Sequence, residues 1–338
     1  MMNSKREKIL ILVMQGGGTR GILQAKFLEL LEKEMNTSTF ELFDFFSGIS
    51  IGGIHALMIA VNRSNASEIF NLYSKRTISK VFLKNSWFFL PMILSPKYKG
   101  KGKLSVLKDL FSDKTLSLAK KPVLVSAYDF IHAFSYFFST FTQNPITLQT
   151  RVADIADATS AAPTYFPPTY SVPANTFFLD GGLIASNPAV SALIEAIKAG
   201  YAIENIKILS LGTGKDKSES IAFGKKSQKW GAVQWFTKGR LMEKIFDAPA
   251  NASVHQSRIL LKENFLHIPF ELDTDSFPLD EVNQVALQKL VKISENQFLI
   301  SRESVKKFLK WEEEPAKVDS LCKQEEQVKA DSLCADPQ

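Results

Sequence analysis

The stretch FSGISIGG, Phe46–Gly53, sets one serine between two near-symmetric Gly-Ile and Ile-Gly pairs. A tight turn inside a core would use the glycines for close backbone approach alone. A nucleophile elbow would use them to bend a strand sharply into a helix, leaving the Ser50 hydroxyl exposed at the bend. The flanks fit the elbow. Upstream, Phe43–Ser47 is a short apolar run of strand length. Downstream, a helix is expected from about Ile51 to Val61. Gly48 and Gly52 then fall where a bent backbone has no room for a Cβ, and Gly53 lets the new helix pack closely.

Working outward, ILILVM, Ile9–Met14, is a continuous six-residue apolar run bounded by glycine, the pattern of a strand buried on both faces. It is shorter than the ~7–15 residues of a signal-peptide apolar region and ends in glycines, so no Sec signal is expected. No apolar run reaches the roughly 18 residues of a transmembrane helix. ILQAKFLELLEKEM, residues 22–35, has helical spacing. Val123–Ala127, Thr176–Leu179 and Ile206–Leu211 are further strand candidates, with helical stretches between them such as 186–199. Short apolar strands alternating with helices predict an α/β fold with a mostly parallel sheet covered on both faces.

GGGTRG, Gly16–Gly21, lies between the first strand and the first helix. In isolation it reads as a plain glycine turn or as a phosphate cradle at a helix N-terminus. A dinucleotide site would want an acidic residue at the end of a second strand about 20 positions on. Glu41 and Asp44 are near that distance, but Asp44 opens its strand candidate, which leads straight to Ser50. The third element is FFLDGG, Phe177–Gly182, an apolar strand ending in Asp180 and then Gly181 and Gly182. It reads as a turn or as a base delivered at a strand's carboxyl end. Asp129, after the 123–127 strand, is a rival carboxylate without the Gly-Gly turn. A Ser…Asp…His triad would need a histidine after Asp180, and neither His255 nor His267 follows a clear strand in a glycine-rich turn. His55, on the helix after the serine, reads as a packing or polar-network residue. The economical assembly is a dyad, Ser50 activated directly by Asp180.

The chain of 338 residues carries +6, unevenly. Residues 312–338 hold eight acidic and three basic residues, a charge of −5, so the remainder carries +11. This polar tail repeats DSLC at 319–322 and 331–334 and lacks the apolar content to offset ordering entropy. Cys322 and Cys334, both in the tail, are the only cysteines, which excludes a disulfide-built fold and a cysteine zinc site in the body. A basic body suits an anionic partner. Residues 69–108 hold nine Lys/Arg and no acidic residue, around WFFLPMIL, Trp87–Leu94. A second basic aromatic stretch runs from Lys225 to Phe246. Basic residues around aromatic, apolar ones suit an anionic membrane surface, or a core-packing insertion with a solvated rim. No nucleic-acid reading motif is present.

GGGTRG, GISIG and DGG in this order resemble the patatin-like phospholipases. So do ATSAAPTYFPP (158–168), Ser186-Asn187-Pro188 and LSLGTG (209–214), so the resemblance covers roughly 8–215. Ser186 departs from it, since many relatives have a second asparagine there. The resemblance implies a three-layer α/β/α fold and a Ser50–Asp180 dyad that works without histidine, metal or cofactor. Expected domains are a catalytic core over 8–215 with a basic, aromatic insertion at about 75–108, a C-terminal part over 216–311 packed on the core, and the tail over 312–338. The expected reaction is hydrolysis of fatty-acyl esters of phospholipids or other membrane lipids. Backbone N–H groups of Gly17, Gly18 and Ile51 would receive the oxyanion. Arg20 would help fix the loop, meet a lipid phosphate or form a solvated salt bridge. Acyl transfer to another alcohol and a catalytically silent lipid-binding protein stay open, as do a protein activator and the oligomeric state. The expected location is cytoplasmic or peripheral to a membrane, with delivery by a non-Sec route open.

Overall fold

The structure, a computed structural model, describes residues 8–85, 95–215, 221–238, 241–272 and 277–310. The apolar run Trp87–Leu94 and the tail with its DSLC repeat lie outside the described residues. The described residues up to Arg302 belong to one compact unit; those from Glu303 belong to a second.

An 8-stranded mixed sheet organises the first unit, in the order β5-β6-β3-β2-β1-β7-β8, with β4 also on β3. Its strands are β1 (Ile9–Met14), β2 (Phe45–Gly48), β3 (Val123–Asp129), β4 (Phe134–Ser139), β5 (Thr169–Ser171), β6 (Thr176–Asp180), β7 (Ile206–Leu211) and β8 (Phe265–Ile268). The principal helices are α1 (Ile22–Met35), α2 (Ile51–Asn62), α3 (Lys75–Val81), α4 (Gly100–Phe111), α5 (Val152–Thr159), α6 (Ala189–Lys198), α7 (Leu241–Leu261) and α8 (Gln284–Leu309).

β1 sits at the centre, parallel to both β2 and β7, and all six of its residues are buried. That is why ILILVM shows no alternation: both faces of the strand need apolar side chains. Ile9, Ile11 and Val13 face a cluster containing Ala192 and Leu193 of α6 and Val254 and Leu261 of α7. α1 and α2 are the crossovers that carry the chain from β1 to β2 and from β2 to β3. Right-handed crossovers moving the same way along a sheet lie on one face, so these two helices form the opposite layer. The second strand begins at Phe45 rather than Phe43, because Asp44 is used at its entrance: the Leu10 N–H donates to Asp44 Oδ2 at 2.8 Å and the Asp44 N–H to Leu10 O at 2.9 Å. This is a structural use of the acid that a dinucleotide site would have claimed. The helix expected over 186–199 runs from Ala189 to Lys198, after a separate short helix, Gly182–Ala185.

The parallel part is β2-β1-β7-β8 with β3 beside β2. β4, β5 and β6 are antiparallel additions. β4 covers one edge of β3 over residues 124–129. On the other edge, β2 pairs with residues 123–125 and β6 with residues 127–129. The two strands therefore lie end to end along one side of β3. β2 runs parallel to β3 and β6 runs against it, so their carboxyl ends point at each other across Ser126.

Candidate active site

That end-to-end arrangement brings together two residues 130 positions apart. Ser50, just past the end of β2, donates its hydroxyl to Asp180 Oδ2, at the end of β6, at 2.7 Å. Asp180 ends β6, which is antiparallel to β3, and it reaches the serine because it arrives from the opposite direction.

Ser50 has φ 55° and ψ −125°, a left-handed conformation that costs a non-glycine residue about 1–3 kcal/mol and persists only where the surroundings hold it. Here they do. The Ser50 N–H donates to Thr159 Oγ1 at 3.0 Å, and that hydroxyl donates on to Ser126 O at 2.7 Å. The Ser50 carbonyl accepts the first helical bond of α2, from the Ile54 N–H. Gly48 and Gly52 are needed for close approach. A Cβ on Gly48 would stand 2.1 Å from Gly52 O, and one on Gly52 would stand 2.2 Å from Met14 O.

The glycine loop after β1 packs on the same spot. A Cβ on Gly16 would sit 3.2 Å from Ser50 Cβ. The Gly16 N–H donates to Ser186 O, and Gly16 O accepts from Thr213 Oγ1 at 2.7 Å, so the LSLGTG segment braces the loop from the β7 side. Gly18 has φ +55°, and a Cβ there would meet Leu279 O at 1.9 Å. The Thr19 N–H is engaged by Leu279 O, whereas the N–H groups of Gly17 and Gly18 take no part in these loop bonds. Ile51 is the first residue of α2, where a backbone N–H has no intrahelical acceptor. Gly21 packs against Tyr73 and Ile51. Arg20 is only 3% exposed, so the expected solvated salt bridge does not fit; its side chain lines the cavity described below.

Asp180 is buried, at 2% exposure. Its Oδ1 accepts from the Gly182 N–H at 2.7 Å. The backbone is pinned by Asp180 N–H to Ala161 O and Gly181 N–H to Thr159 O. A Cβ on Gly181 would stand 2.2 Å from Ser126 O, and one on Gly182 would press on Phe246. Burial pushes the Asp180 carboxyl up to about 6, against the opposing pull of the Gly182 N–H, the Ser50 hydroxyl and the Lys103 ammonium. The raised value makes this aspartate a far better proton acceptor near neutral pH than an ordinary one.

Lys103 is the residue that the sequence reading missed. It counted among the nine basic residues of the insertion, but it is buried at 4% exposure on the inner face of α4. Its ammonium donates to Asp157 O and Ser160 O, at the C-terminal end of α5, and to Ser160 Oγ. It also pairs with Asp157 Oδ1 at 3.1 Å and lies 4.7 Å from the centre of the Phe166 ring. A cation suits a helix C-terminus. The segment it clamps, 157–161, supplies the hydrogen-bond partners of both Ser50 and Asp180. The signal was in the spacing: Val106, Leu107 and Phe111 are buried on α4, and Lys103 falls on their face, three, four and eight positions before them.

The remaining candidates have other employment. His55 is fully buried, and burial pushes it down to about 3, so it is neutral. The Tyr73 hydroxyl donates to its Nε2 at 2.9 Å, leaving Nδ1–H to donate to Gln24 Oε1 at 3.2 Å. Gln24 is fixed in turn by donating to Gln15 O and Leu211 O. His267 bonds to Ser210 Oγ, which also accepts from Asn187 Nδ2. Asp129 closes the β3–β4 hairpin, accepting from the Ile131 and His132 N–H groups, Thr176 Oγ1 and the His132 ring. Ser186 donates to Gly182 O.

An apolar cavity opens at Ser50, Asp180 and the glycine loop. It runs between α2, α3 and α4, lined among others by Ile54, Ile78, Val81, Val106, Leu107 and Phe166. About 130 Å³ of it is open to the centres of water-sized molecules.

The family model described as patatin-like phospholipase matches residues 12–193, more than half the chain. Patatin-like protein 2 of Oryza sativa subsp. indica is 28% identical over 343 residues, covering 86% of this chain and 84% of that protein. A cGAMP-activated phospholipase of Escherichia coli (strain TW11681) is 27% identical over 319 residues, covering 84% and 87%. The crystal structure of VipD from Legionella pneumophila aligns with a TM-score of 0.49 at 16% identity, over 88% of this chain and 67% of that one. The chain belongs to the patatin-like phospholipase family, whose activity is of the lipid-hydrolase type.

Proposed function

We propose that the protein is a phospholipase A or lysophospholipase that cleaves fatty-acyl esters of membrane lipids through a Ser50–Asp180 dyad and an acyl-enzyme, without a metal ion. The observation that carries this reading is the 2.7 Å hydrogen bond from Ser50 Oγ to a buried carboxylate, made at a left-handed elbow that opens into an apolar cavity.

In the proposed reaction the acyl chain lies in the cavity and the ester carbonyl stands over the elbow. As Ser50 Oγ adds to the carbonyl carbon, its proton passes to Asp180 Oδ2. The carbonyl oxygen becomes an oxyanion beside the N–H groups of Gly17, Gly18 and Ile51. Collapse of this intermediate breaks the ester C–O bond, and Asp180 returns the proton to the leaving alcohol. Water then gives a proton to Asp180 and attacks the acyl-enzyme. Breakdown of that second intermediate frees the fatty acid and restores the serine hydroxyl. Arg20, which lines the cavity, would meet a lipid phosphate. Lys103 acts as a positioning residue behind both members of the dyad. The enzyme works at an anionic membrane surface, drawn there by its basic body.

The test is free fatty acid measured by mass spectrometry from mixed phospholipid vesicles in EDTA, for wild type, Ser50→Ala and Asp180→Asn. Release by wild type alone is expected. Release that survives either substitution would reject the dyad, and loss of wild-type release in EDTA would reject metal independence. If no variant releases fatty acid, a fluorophosphonate probe that labels Ser50 would identify an enzyme awaiting an activator. The name of the E. coli relative, a cGAMP-activated phospholipase, makes that a reasonable arm to include.

A further inference from the structure

β3 runs parallel to β2 and continues four residues beyond Val125, the partner of Gly48. At about 3.3 Å per residue, the β3–β4 turn therefore projects about 13 Å past the edge where β2 delivers Ser50. β5 and β6 extend along it, making a tongue beside the candidate active site. The side chains at its tip are apolar and in water. Phe130 and Ile131 in the turn are 56% and 57% exposed. The Phe130 N–H donates to Phe177 O at 2.9 Å, and the exposed Phe177 ring packs 4.9 Å from that of Tyr170. Val172, in the β5–β6 turn, is 75% exposed. Two further exposed phenylalanines, Phe134 and Phe137, lie on β4 of the β3–β4 hairpin. Single exposed apolar residues are ordinary, but aromatic residues gathered on one projection are not.

Charge adjoins the tip. Tyr170 and Val172 border a cleft that also holds the exposed Lys99, Lys101 and Lys108. The two carboxylates in the cleft face basic partners, Asp154 with Arg151 and Asp157 with Lys103, so the three lysines leave it a net positive charge. Lysine is depleted in the cores of protein–protein interfaces, whereas aromatic rings with a lysine rim match the headgroup layer of an anionic bilayer.

We infer that the tongue tip, Phe130, Ile131, Tyr170, Val172 and Phe177 with the rim of Lys99, Lys101 and Lys108, is the surface that docks the protein onto an anionic phospholipid bilayer. The inference rests on the reading that the substrate is a membrane lipid. It adds where the bilayer sits: against the sheet edge that carries Ser50, so that a lipid leaving the bilayer meets the cavity directly.

The experiment is sedimentation of the full chain with phosphatidylcholine vesicles, with and without phosphatidylglycerol, for wild type, Phe130→Ser/Ile131→Ser, and Lys99→Gln/Lys101→Gln/Lys108→Gln. The tip variant should bind both vesicles at least about tenfold more weakly. The lysine variant should lose on the order of 100-fold on anionic vesicles and little on neutral ones. Both should hydrolyse a soluble short-chain ester within about twofold of wild type. Ser50→Ala should bind vesicles like wild type and lose ester hydrolysis. Retained hydrolysis would sink the dyad and leave the docking result standing. Vesicle binding undiminished in the tip variant overturns the inference, and so does a wild type that binds neither vesicle. A wild-type dimer broken by the tip substitutions, with vesicle binding intact, assigns the tip to a second copy of the chain instead. Ile131→Trp gives an independent reading: brominated lipid should quench the added fluorescence, and absence of quenching would also overturn the inference.

Discussion

Asp129 and Asp180 end neighbouring strands, both at 2% exposure, yet they are opposite kinds of carboxylate. Burial pushes each one up. At Asp180 that push prevails, to about 6, against one backbone N–H, one hydroxyl and a nearby ammonium. At Asp129 the Thr176 hydroxyl, the His132 backbone and the His132 ring together overcome burial and hold the carboxyl below its ordinary value. The difference teaches that burial alone does not make a base. Asp180 lies deep in the fold, whereas Asp129 lies shallow, beside a turn of exposed residues, and takes more donors; depth and donors together decide whether the carboxylate keeps an affinity for protons or serves as a turn clamp.

The comparison breaks most visibly in activity. Ser50→Ala or Asp180→Asn should cut fatty-acid release by about 10³-fold or more, because each removes a partner in the same proton transfer. Asp129→Ala should leave soluble-ester turnover per folded molecule within a few-fold. Its effect lies in stability: several buried or turn-forming donors lose their acceptor, and the expected loss is about 2–4 kcal/mol by chemical denaturation at pH 7. If Asp129→Ala were the inactive variant, the assignment of roles would be reversed.

Asp180→Asn should raise stability at pH 8, by about 1–3 kcal/mol. The sign follows from the shift. A carboxyl raised from 3.8 to about 6 favours the folded state below pH 3.8, and that advantage is lost as pH rises through 6. Above pH 6 the wild type holds a buried charge that the amide does not, so the gain should disappear near pH 4. Asp129 has the opposite slope, since a lowered carboxyl stabilises at neutral pH and loses its contribution as pH falls through its folded value. Thermal melts of Asp180→Asn across pH 4–8, and of Asp129→Ala from pH 5 down to below pH 3, would show the two opposite slopes, or refute the contrast.

The pH–rate profile of wild type should rise through about 6 as Asp180 ionises. Lys103→Met should move that rise to higher pH, since the ammonium helps hold the Asp180 carboxyl down. A purely structural lysine would lower the amount of folded enzyme and leave the midpoint in place. The smallest effect is expected at His132→Gln, on the order of 0.5 kcal/mol or less, because the ring is exposed and its bond to Asp129 is backed by other donors.

Much of this was legible in the sequence. ILILVM announced a central strand because burial on both faces leaves no alternation to hide it. GISIG and FFLDGG could be placed on strand ends because glycines stand where a Cβ has no room. The antiparallel additions were less legible. β5 has three residues, β8 has four, and β4 alternates weakly because part of it is exposed aromatic surface. The meeting of β2 and β6 across Ser126 was beyond local reading, since it is a matter of which strand takes which length of one shared edge. Lys103 was misassigned for a different reason. Composition counted it as charge, whereas its phase on α4 already set it among apolar neighbours.

The shared edge of β3 also dates the appearance of the proposed activity during synthesis. Ser50 leaves the ribosome 130 residues before Asp180. At about 5–20 residues per second that is an interval of about 6–26 s. Throughout it the nascent chain lacks the carboxylate that pairs with Ser50, and for most of it also Thr159, which holds the elbow. On the proposed mechanism, chains that stall or are clipped before position 180 would carry the nucleophile without its proton acceptor.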